Sequence, residues 1–356
     1  MRTNGFSIIV PFHSDLSRLG QCLEGLSGLP PGSEVIVVED GAIENSRPLA
    51  RKHGARVITV RQPGSSAGPA AARNAGAAVA IGEVFVFIDA DVVVSPASLT
   101  RMGHIFVDKP ETAAVFGSYD DRPADIGFMS QYKNLSHSFI HQSSATQALT
   151  FWAGFGAVRR EAFCAVGGFD ERFHRPSVED IDLGYRLTQA GYDVLLDPAL
   201  LACHLKHWTA TSAIMSDIRD RGIPWTQLIL RYGVLSNDLN LRKEYRLSIV
   251  LAYLALTSFV LGLSNRLILV GLPPLIVGIT LLERRYYEFL CRKRGCWFAI
   301  RAWVMRLVHH WCNGLSLMTG TILFLGARYR GLQMPGALSL DAWGARRSRL
   351  SSAMHN

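Results

Sequence analysis

The sequence predicts an α/β domain with a Rossmann-like, mostly parallel sheet, followed by a C-terminal α-helical membrane region. Short apolar runs rich in β-branched residues alternate with helix-like stretches in the first 212 residues, whereas long uncharged apolar segments appear only later. The chain has 356 residues, 49% of them hydrophobic, and a mean hydropathy of +0.16. These values are high for a wholly soluble protein and favour a membrane portion.

The α/β prediction rests on the way in which apolar and helix-like stretches alternate. Nearly continuous apolar runs are typical of strands that are buried on both faces of a parallel sheet. The helix-like stretches between them supply the crossovers that parallel strands require. The predicted strands are 6–12, 34–40, 55–60 and 84–90, and the predicted helices are 15–28, 46–53 and 69–81.

Charge divides the chain at the same place. Residues 1–212 contain 18 Lys and Arg against 22 Asp and Glu, a net charge of −4, whereas residues 213–356 contain 19 against 7, a net charge of +12. We expect a basic region of this size to meet an anionic surface, either nucleic acid or the cytoplasmic leaflet of a membrane. The apolar segments between its basic clusters favour the membrane, and no nucleic-acid partner is predicted.

Two uncharged apolar segments, 247–263 and 267–282, are separated by only three residues. Each is slightly shorter than a comfortable membrane span, so a hydrophobic hairpin inside a soluble protein is the alternative. Basic residues at 242–246 and 284–294 flank the pair. This pattern predicts a transmembrane hairpin with both ends in the cytoplasm.

A third apolar segment, 302–326, is interrupted by Arg306, His309 and His310. A third span would place the basic C-terminal tail outside, against the positive-inside tendency, so an interfacial or re-entrant helix is predicted. The predicted organisation is therefore 1–212 for the α/β domain, 213–246 for an interfacial amphipathic segment, 247–326 for the transmembrane hairpin plus the interfacial or re-entrant helix, and 327–356 for a basic tail.

Cysteine usage and the N-terminus indicate the compartment. The six cysteines show no C-x-x-C pair and no regular framework, which is typical of reduced thiols in the cytoplasm. The first residues contain only a four-residue apolar run, so no secretory signal is predicted. We expect a protein of the inner (cytoplasmic) membrane, with its α/β domain on the cytoplasmic side.

Three acidic residues stand at the ends of predicted strands. Asp40 ends the strand 34–40, and Asp89 and Asp91 flank Ala90 in "FVFIDADVVV". In open α/β sheets, ligands bind beyond the carboxyl ends of the strands, so these side chains are expected to converge on one crevice. Two carboxylates this close repel each other unless a cation lies between them, which predicts a divalent metal.

Six sequence pieces follow one another in order: "IIVPFHSD", "VIVVEDG", "GPAAARNAG", "FIDAD", "GFGAVRREAFCAVGGFDERF" and "VEDIDLGYRLTQAG". Together they resemble the inverting family 2 glycosyltransferases with the GT-A fold, of the membrane-attached bacterial type, over roughly residues 5–210. The resemblance implies a nucleotide-diphosphate sugar, with UDP as the expected nucleotide, as the donor. It also implies Mg²⁺ or Mn²⁺ as the cofactor, bound through the D-x-D motif.

The resemblance assigns the donor side to five residues. Pro11, Asp40, Arg73 and Asp89 are expected near the nucleotide sugar, and Asp91 with Asp89 is expected to hold the metal. Simpler explanations exist for three of them. Pro11 can simply end a strand, Asp40 can open a turn, and Arg73 can be a solvated or salt-bridged surface residue.

The start of "PSVEDIDLGYRL" carries the candidate catalytic base. The resemblance implies that Asp180 abstracts the proton of an acceptor hydroxyl as that hydroxyl attacks the anomeric carbon, while Glu179 orients the acceptor or the base. The alternative is that Ser177 caps the helix and Asp180 completes a capping box, because S-x-x-D has the required spacing. Asp182 lies four residues before Arg186, and these two are predicted to form an ion pair.

Two further sites follow from the resemblance. His204 matches a histidine that related enzymes place after the next strand as a metal ligand, with His207 as the alternative position and a packed histidine as the structural explanation. Trp152 and Gly154 resemble the acceptor-side strand and loop. The family often has Asn or Asp in this neighbourhood, where this sequence has a Phe-Gly pair at 155–156, so the acceptor contacts depart from the pattern.

The sequence predicts a metal-dependent inverting glycosyltransferase that moves a sugar to a membrane-proximal, lipid or lipid-linked acceptor. The motif Q-x-x-R-W of processive synthases does not occur in the sequence, which favours transfer of one or a few sugars. The alternatives are a membrane scaffold with a degenerate nucleotide-sugar-binding domain and a nucleotidyltransferase. A nucleotidyltransferase would need a Gly-rich basic phosphate loop after the first strand, which "PFHSDLSRLG" matches poorly.

Overall fold

The computed structural model describes residues 5–332, and these residues form two compact units. Within the described residues, the first unit consists of 5–125 and 145–206, and the second consists of 126–144 and 207–332. The boundary near residue 206 is close to the predicted end of the α/β domain at residue 212. The predicted basic tail 327–356 lies largely outside the described residues.

The first unit contains an eight-stranded mixed sheet in the order β3-β2-β1-β4-β7-β6-β8-β5. The pairs β1–β2, β1–β4, β2–β3 and β6–β8 are parallel, whereas β4–β7, β6–β7 and β5–β8 are antiparallel. The strands are β1 (Phe6–Phe12), β2 (Glu34–Asp40), β3 (Arg56–Arg61), β4 (Val84–Ile88), β5 (Val92–Val94), β6 (Thr112–Tyr119), β7 (Phe155–Arg159) and β8 (Asp193–His204).

The four predicted strands are confirmed as the parallel half of this sheet. Buried β-branched and aromatic residues fill β1, β2 and β4 on both faces, as parallel strands covered by helices require. The helices of this unit are α1 (Leu16–Gly25), α2 (Arg47–Lys52), α3 (Pro69–Val79), α4 (Pro96–Asp108), α6 (Arg160–Ala165) and α7 (Glu179–Gln189), while α5 (Phe128–Gln142) belongs to the second unit.

Helix α3 lies very close to the sheet because its buried face consists of small residues. A Cβ at Gly76 would lie 2.5 Å from the side chain of Ile9 on β1 and 3.0 Å from that of Val38 on β2. Ala70 and Ala77 are fully buried on the same helix. The helix predicted at 69–81 is confirmed, and its close contact with the sheet fixes the position of Arg73.

The second unit is helical, and apart from α5 it consists of the chain that follows the last strand of the sheet. The predicted amphipathic segment 213–246 contains no single helix: it consists mainly of a π-helical turn (Ser216–Gly222), two short helices and a 3₁₀ turn (Leu239–Leu241). The α-helices of this part are α8 (Ala210–Met215), α9 (Ile223–Tyr232), α10 (Lys243–Gly262), α11 (Leu272–Leu282), α12 (Arg284–Arg294) and α13 (Cys296–Tyr329).

Within residues 5–332, α10 is the one helix that is long and apolar enough to cross a membrane by length and composition. The 3₁₀ turn Arg266–Gly271 and α11 satisfy this criterion only together with α12, which is bent away from them by 69°. The predicted interfacial or re-entrant segment 302–326 lies inside the single 34-residue helix α13.

The charged residues that interrupt α13 are all paired inside the second unit. Glu283 accepts a hydrogen bond from Arg306 Nε at 2.6 Å and lies 2.7 Å from His310 Nε2. His309 Nδ1 lies 3.1 Å from Asp217, which is 2.5 Å from Lys133 Nζ. These side chains are buried or half-buried, so the polar residues of α13 hold its neighbouring helices rather than face solvent.

Candidate active site

The apolar run 84–94 is interrupted by Asp89 and Asp91 because these residues lie in the loop between β4 and β5. The backbone N–H of Asp89 donates to Gly154 O at 3.2 Å, and the N–H of Val92 donates to Asp89 O at 2.9 Å. This tight turn ends β4, and β5 then pairs with a different strand, β8. The side chains of Asp89 and Asp91 are 36% and 26% exposed at the carboxyl end of β4, where ligands of α/β sheets bind.

Arg73 joins the two acidic motifs of the site. Its Nη2 is 2.7 Å from Asp89 Oδ1, and its Nη1 is 2.8 Å from Glu179 Oε1. The side chain of Arg73 is only 5% exposed, so it is not the solvated surface residue considered as an alternative. Its salt bridges are buried instead. Burial lowers the pKa of Arg73, but the carboxylates Asp89, Glu179 and Asp180 raise it above its ordinary value overall. Arg73 therefore stays charged between them.

Glu179 and Asp180 begin helix α7, but they are held differently. Glu179 is buried, with Oε1 bound to Arg73 and Oε2 accepting from the N–H of Ser177 at 2.9 Å. Asp180 is half-buried, and its oxygens accept from the backbone N–H groups of Ala153 at 3.1 Å and Ile181 at 2.8 Å. Glu179 is thus locked in a structural network, whereas Asp180 retains exposure at the site.

The capping-box explanation of Asp180 is wrong. The residue that precedes helix α7 is Val178, and no side chain caps this end of the helix. A capping box would need the helix to start directly after Ser177, whereas Ser177 lies one residue further out and donates its backbone N–H to Glu179 Oε2. The carboxylate of Asp180 reaches the loop before β7 through Ala153, and this contact connects the helix start to the acceptor-side segment that was predicted from Trp152 and Gly154.

His204 lies beside Asp91, at the end of β8. The strand pairing places His204 opposite Val92, and the N–H of Leu205 donates to Asp91 O at 2.8 Å. His204 Nε2 is 3.7 Å from Asp91 Oδ2. Burial raises the pKa of Asp91 although Lys206 and other positive groups act in the opposite direction. Of the two histidines considered, His204 belongs to the unit that contains the D-x-D motif.

The aromatic ring of Tyr119 fixes this histidine. Tyr119 ends β6, and its ring stacks on His204 with a centroid distance of 4.3 Å and an interplanar angle of 13°. The same ring packs edge-on against Trp152 at 4.7 Å. Trp152 lies over Gly154, where a Cβ would be 2.6 Å from the indole ring. The side chains of Trp152 and His204 therefore share one support, and Gly154 leaves space for the indole.

A divalent cation fits part of this arrangement. Two ligands bound to one ion at about 2.1 Å lie roughly 3–4 Å apart, which suits the 3.7 Å between Asp91 and His204. Within residues 5–332, no group of three or more His, Cys, Asp or Glu side chains is arranged as a complete metal site. Asp89 is paired with Arg73 in this structure, so its predicted role as a metal ligand stays a prediction.

Asp40 and Pro11 lie at the ends of the two neighbouring strands. The carboxylate of Asp40 accepts from Ser66 Oγ at 2.6 Å, from the N–H of Ala67 at 2.9 Å and from the N–H of Gly68 at 2.8 Å. It thereby holds the loop that starts helix α3. Pro11 is half-buried and pairs in register with β2. The contacts of Asp40 and Pro11 with a donor stay predictions.

One supporting network was missed by the sequence analysis, and another was predicted only in part. Asn74 exchanges two hydrogen bonds of 2.9 Å with the backbone of Phe169, next to Arg73 on the same helix. The predicted ion pair of Asp182 and Arg186 is confirmed at 2.8 Å, but it is buried, and Arg186 also donates to Gly168 O at 2.6 Å. Asn74 and Asp182 are polar residues within largely apolar segments. Because buried polar groups need hydrogen-bond partners, this pattern could have indicated both networks.

The mixed sheet, the acidic turn after β4 and the acidic start of α7 define a GT-A domain. Residues 7–167 match the sequence model of a family described as Glycosyl transferase family 2, so this part of the chain is a domain of that family. A pre-mycofactocin glycosyltransferase of Mycobacterium tuberculosis is 31% identical over 221 residues, covering 58% of this chain and 45% of that protein. The chain thus spans about half the length of this relative.

Two further proteins are similar to this chain. A validoxylamine A glucosyltransferase of Streptomyces hygroscopicus subsp. limoneus is 25% identical over 225 residues, covering 52% of this chain and 48% of that protein. A solved mannosyltransferase from Pyrobaculum calidifontis in complex with GDP-Man and Mn²⁺ covers 99% of this chain and 86% of its own, with 17% identity and a TM-score of 0.47. That TM-score is too low for the structure to indicate the donor or the metal of this chain.

Proposed function

We propose that this protein is an inverting glycosyltransferase that moves a sugar from a nucleotide-diphosphate donor, with UDP as the nucleotide, to a hydroxyl group of a lipid or lipid-linked acceptor. One observation supports this most strongly. Arg73 ties Asp89 of the D-x-D motif to Glu179 of the E-D pair through contacts of 2.7 and 2.8 Å. The donor-side acid and the start of the base-bearing helix are thereby held together by one rigid guanidinium.

The proposed reaction is a single displacement. The acceptor oxygen forms a bond to the anomeric carbon while the bond between that carbon and the diphosphate oxygen breaks, so the configuration is inverted. The proton of the acceptor hydroxyl passes to a carboxylate oxygen of Asp180. Asp180 suits this role because it is half-buried and the backbone N–H groups of Ala153 and Ile181 hold its carboxylate at the site.

Glu179 suits a positioning role better than a proton-accepting one. Both of its oxygens are engaged and the residue is 4% exposed, so an acceptor hydroxyl does not reach it without breaking the contact with Arg73. We therefore assign Glu179 to orienting Asp180 through the helix start. The sequence left open whether Glu179 orients the acceptor or the base, and we choose the base.

Asp91 and His204 are the residues that would hold Mg²⁺ or Mn²⁺. Such an ion, when bound, neutralises charge on the leaving diphosphate. The raised pKa of Asp91 shows that burial opposes its charged form, so a neighbouring cation would stabilise the carboxylate. Tyr119 stacks on the imidazole and holds the ring beside Asp91. In this proposal Asp89 pairs with Arg73 and contacts the sugar or the ribose of the donor.

Membrane attachment is proposed from the second unit. Exposed leucine, valine and phenylalanine side chains cover α10, and 28% of its most apolar window is buried. We propose that α10 and the segment 266–282 form the hairpin that brings a lipid-linked acceptor to the enzyme, on the cytoplasmic side of the inner membrane. If the full-length protein fractionates with the soluble proteins in the absence of detergent, this attachment is wrong.

The function is tested with full-length protein in a neutral detergent, a panel of UDP-sugars and a lipid extract. We expect UDP release that requires Mn²⁺ or Mg²⁺, is lost with chelator, and is accompanied by a sugar-bearing lipid in the mass spectrum. Asp91→Asn should lose this activity, and Asp193→Asn, the same change at an exposed site, should retain it. Donor binding without turnover would favour the scaffold, and pyrophosphate release from a nucleoside triphosphate and a sugar phosphate would favour a nucleotidyltransferase.

A further inference from the structure

Helix α12 has a basic face that is exposed and an apolar face that is buried. Its eleven residues contain five Arg or Lys and one Glu, a net charge of +4. Tyr286 and Leu290 are buried in a cluster with Ala299 and Ala302 of α13. The basic residues are all exposed, and they are Arg284, Arg285, Arg292, Lys293 and Arg294. Helix periodicity places four of them, Arg284, Arg285, Arg292 and Lys293, within about 180° of one another, and we call these four residues the basic face of α12.

Most of this charge is not neutralised by the protein. In the part of the chain that the structure describes, Arg284, Arg285 and Arg292 take part in no ion pair. The one acidic residue of the helix, Glu288, is exposed as well. Glu288 lies one helical turn from Arg284 and from Arg292 and offsets one charge, so the basic face keeps an excess of positive charge that an anionic partner would stabilise.

The direction of α12 is fixed by a buried charge at its start. Glu283, which is 2% exposed, contacts Arg306 Nε at 2.6 Å and His310 Nε2 at 2.7 Å. The guanidinium of Arg306 also lies 4.8 Å from the ring centre of Tyr245 and 5.1 Å from that of Tyr286. These contacts hold the 69° bend between the apolar segment 266–282 and α12, so the orientation of the basic face relative to this segment is fixed.

The surroundings of the basic face indicate a lipid surface. The apolar segment immediately before it carries the exposed side chains of Leu267, Val270 and Val277, and Trp297, two residues after the turn at Gly295, is 72% exposed. A tryptophan beside basic residues at the end of an apolar helix is typical of the membrane–water interface. Exposed aliphatic side chains next to the basic residues favour a lipid surface over nucleic acid, because phosphate groups are bound by basic and polar side chains.

We propose that the basic face of α12 binds the phosphate groups of anionic lipids at the membrane surface. The proposal rests on the membrane attachment proposed above, in which α12 directly follows the hairpin segment 266–282 after a bend of 69°. Each basic residue near an anionic membrane surface strengthens binding by about 5-fold. The attraction acts over roughly one Debye length, about 8 Å at physiological ionic strength, so salt weakens it.

The test uses full-length protein in a neutral detergent and short-chain phosphatidylglycerol or phosphatidylcholine as the probe. The triple variant R285Q/R292Q/K293Q removes three charges from the basic face. The matched control R51Q/K52Q/K109Q removes three exposed charges from the first unit. We expect the wild type and the control to bind phosphatidylglycerol much more tightly than phosphatidylcholine, and the triple variant to bind it about 100-fold more weakly than the wild type.

Several outcomes would overturn the proposal. Equal affinity of the wild type for the two lipids, or unchanged phosphatidylglycerol binding in the triple variant, would remove the headgroup site. Full competition by glycerol phosphate at equal concentration would indicate a site for free phosphate, and tighter binding of a short RNA would indicate nucleic acid. Binding of a UDP-sugar to the protein without added lipid reports on the first unit separately, so the failure of the proposed glycosyl transfer is distinguishable from the failure of this surface.

Discussion

Replacing Asp180 by asparagine tests the proposed base with the least change in shape. Asparagine is nearly isosteric with aspartate, but its amide does not accept the proton of an attacking hydroxyl. General-base catalysis contributes about 10²- to 10⁴-fold in rate. We therefore expect turnover of Asp180→Asn to fall by that factor, which corresponds to roughly 3–5 kcal/mol in the activation free energy.

The structure also sets the expected cost in stability. The two oxygens of Asp180 accept from two different backbone N–H groups, those of Ala153 and Ile181. Asparagine has one acceptor oxygen, so its NH₂ group must face one of these N–H donors and that hydrogen bond is lost. A hydrogen bond to a charged group contributes about 1.5–3 kcal/mol. Asp180→Asn should therefore lower the free energy of unfolding by at most about that amount, and the protein should still fold.

Turnover at saturating donor and acceptor, donor affinity and the thermal midpoint are to be measured on one preparation. Asp182→Asn serves as the structural comparison, because it breaks a fully buried ion pair with Arg186 on the same helix. It should lower the thermal midpoint more than Asp180→Asn does, with turnover of the folded fraction near that of the wild type. Near-normal turnover in Asp180→Asn would refute the assignment of the base.

Four further substitutions probe the rest of the account. Asp91→Asn should abolish metal-dependent tightening of donor binding, measured by titration calorimetry with and without chelator. Arg73→Lys cannot keep both carboxylate contacts in one planar fork, so turnover should fall by up to about 10²-fold with a lower thermal midpoint, and no change in either would contradict its bridging role. Gly154→Ala places a Cβ 2.6 Å from the ring of Trp152 and should cost about 1–3 kcal/mol of unfolding free energy in chemical denaturation. Burial would raise the pKa of Asp217, but its lysine and histidine partners hold that pKa below the ordinary carboxylate range. The stability that Asp217 contributes is present above about pH 4 and is lost as the pH falls through the lowered pKa, so the difference in thermal midpoint between wild type and Asp217→Asn should narrow in acid.

The parallel half of the fold was predictable because local pattern and burial agree there. Continuous apolar runs in β1, β2 and β4 have no other stable environment than a sheet covered on both faces, and the small residues of α3 indicated the close helix. The short strand β5 was not predicted as a separate element. Its three valines follow the D-x-D turn directly, and its partner is β8, more than a hundred residues later in the chain. Local sequence carries no information about such a partner.

The candidate site was predictable in its residues but not in its connections. The acids at strand and helix ends were visible as polar residues that interrupt apolar runs. The bridge from Arg73 to Glu179 joins residues 106 positions apart, and no spacing rule indicates it. The stacking of Tyr119 on His204 was missed for the same reason, because both aromatic rings end their own strands and meet only in the assembled sheet.

The helical unit was predicted least well because its apolar character does not determine its bends. The sequence showed two apolar segments of similar length, yet the second is a 3₁₀ turn and a short helix that end at a buried glutamate. The sequence analysis assigned no role to Glu283. Its contacts with Arg306 and His310 come from a helix more than twenty residues later, and they explain why α13 tolerates charged residues in its first half.

The configuration of the product tests the central claim most directly. Full-length protein is incubated with an α-linked UDP-sugar carrying ¹³C at the anomeric carbon, Mn²⁺ and the lipid acceptor found in the extract, and the anomeric signal of the purified lipid is recorded by NMR. A β-linked sugar on the lipid, formed by the wild type and not by Asp180→Asn, is the result that single displacement with Asp180 as base predicts. An α-linked product, or release of free sugar with no transfer to any acceptor, would contradict it.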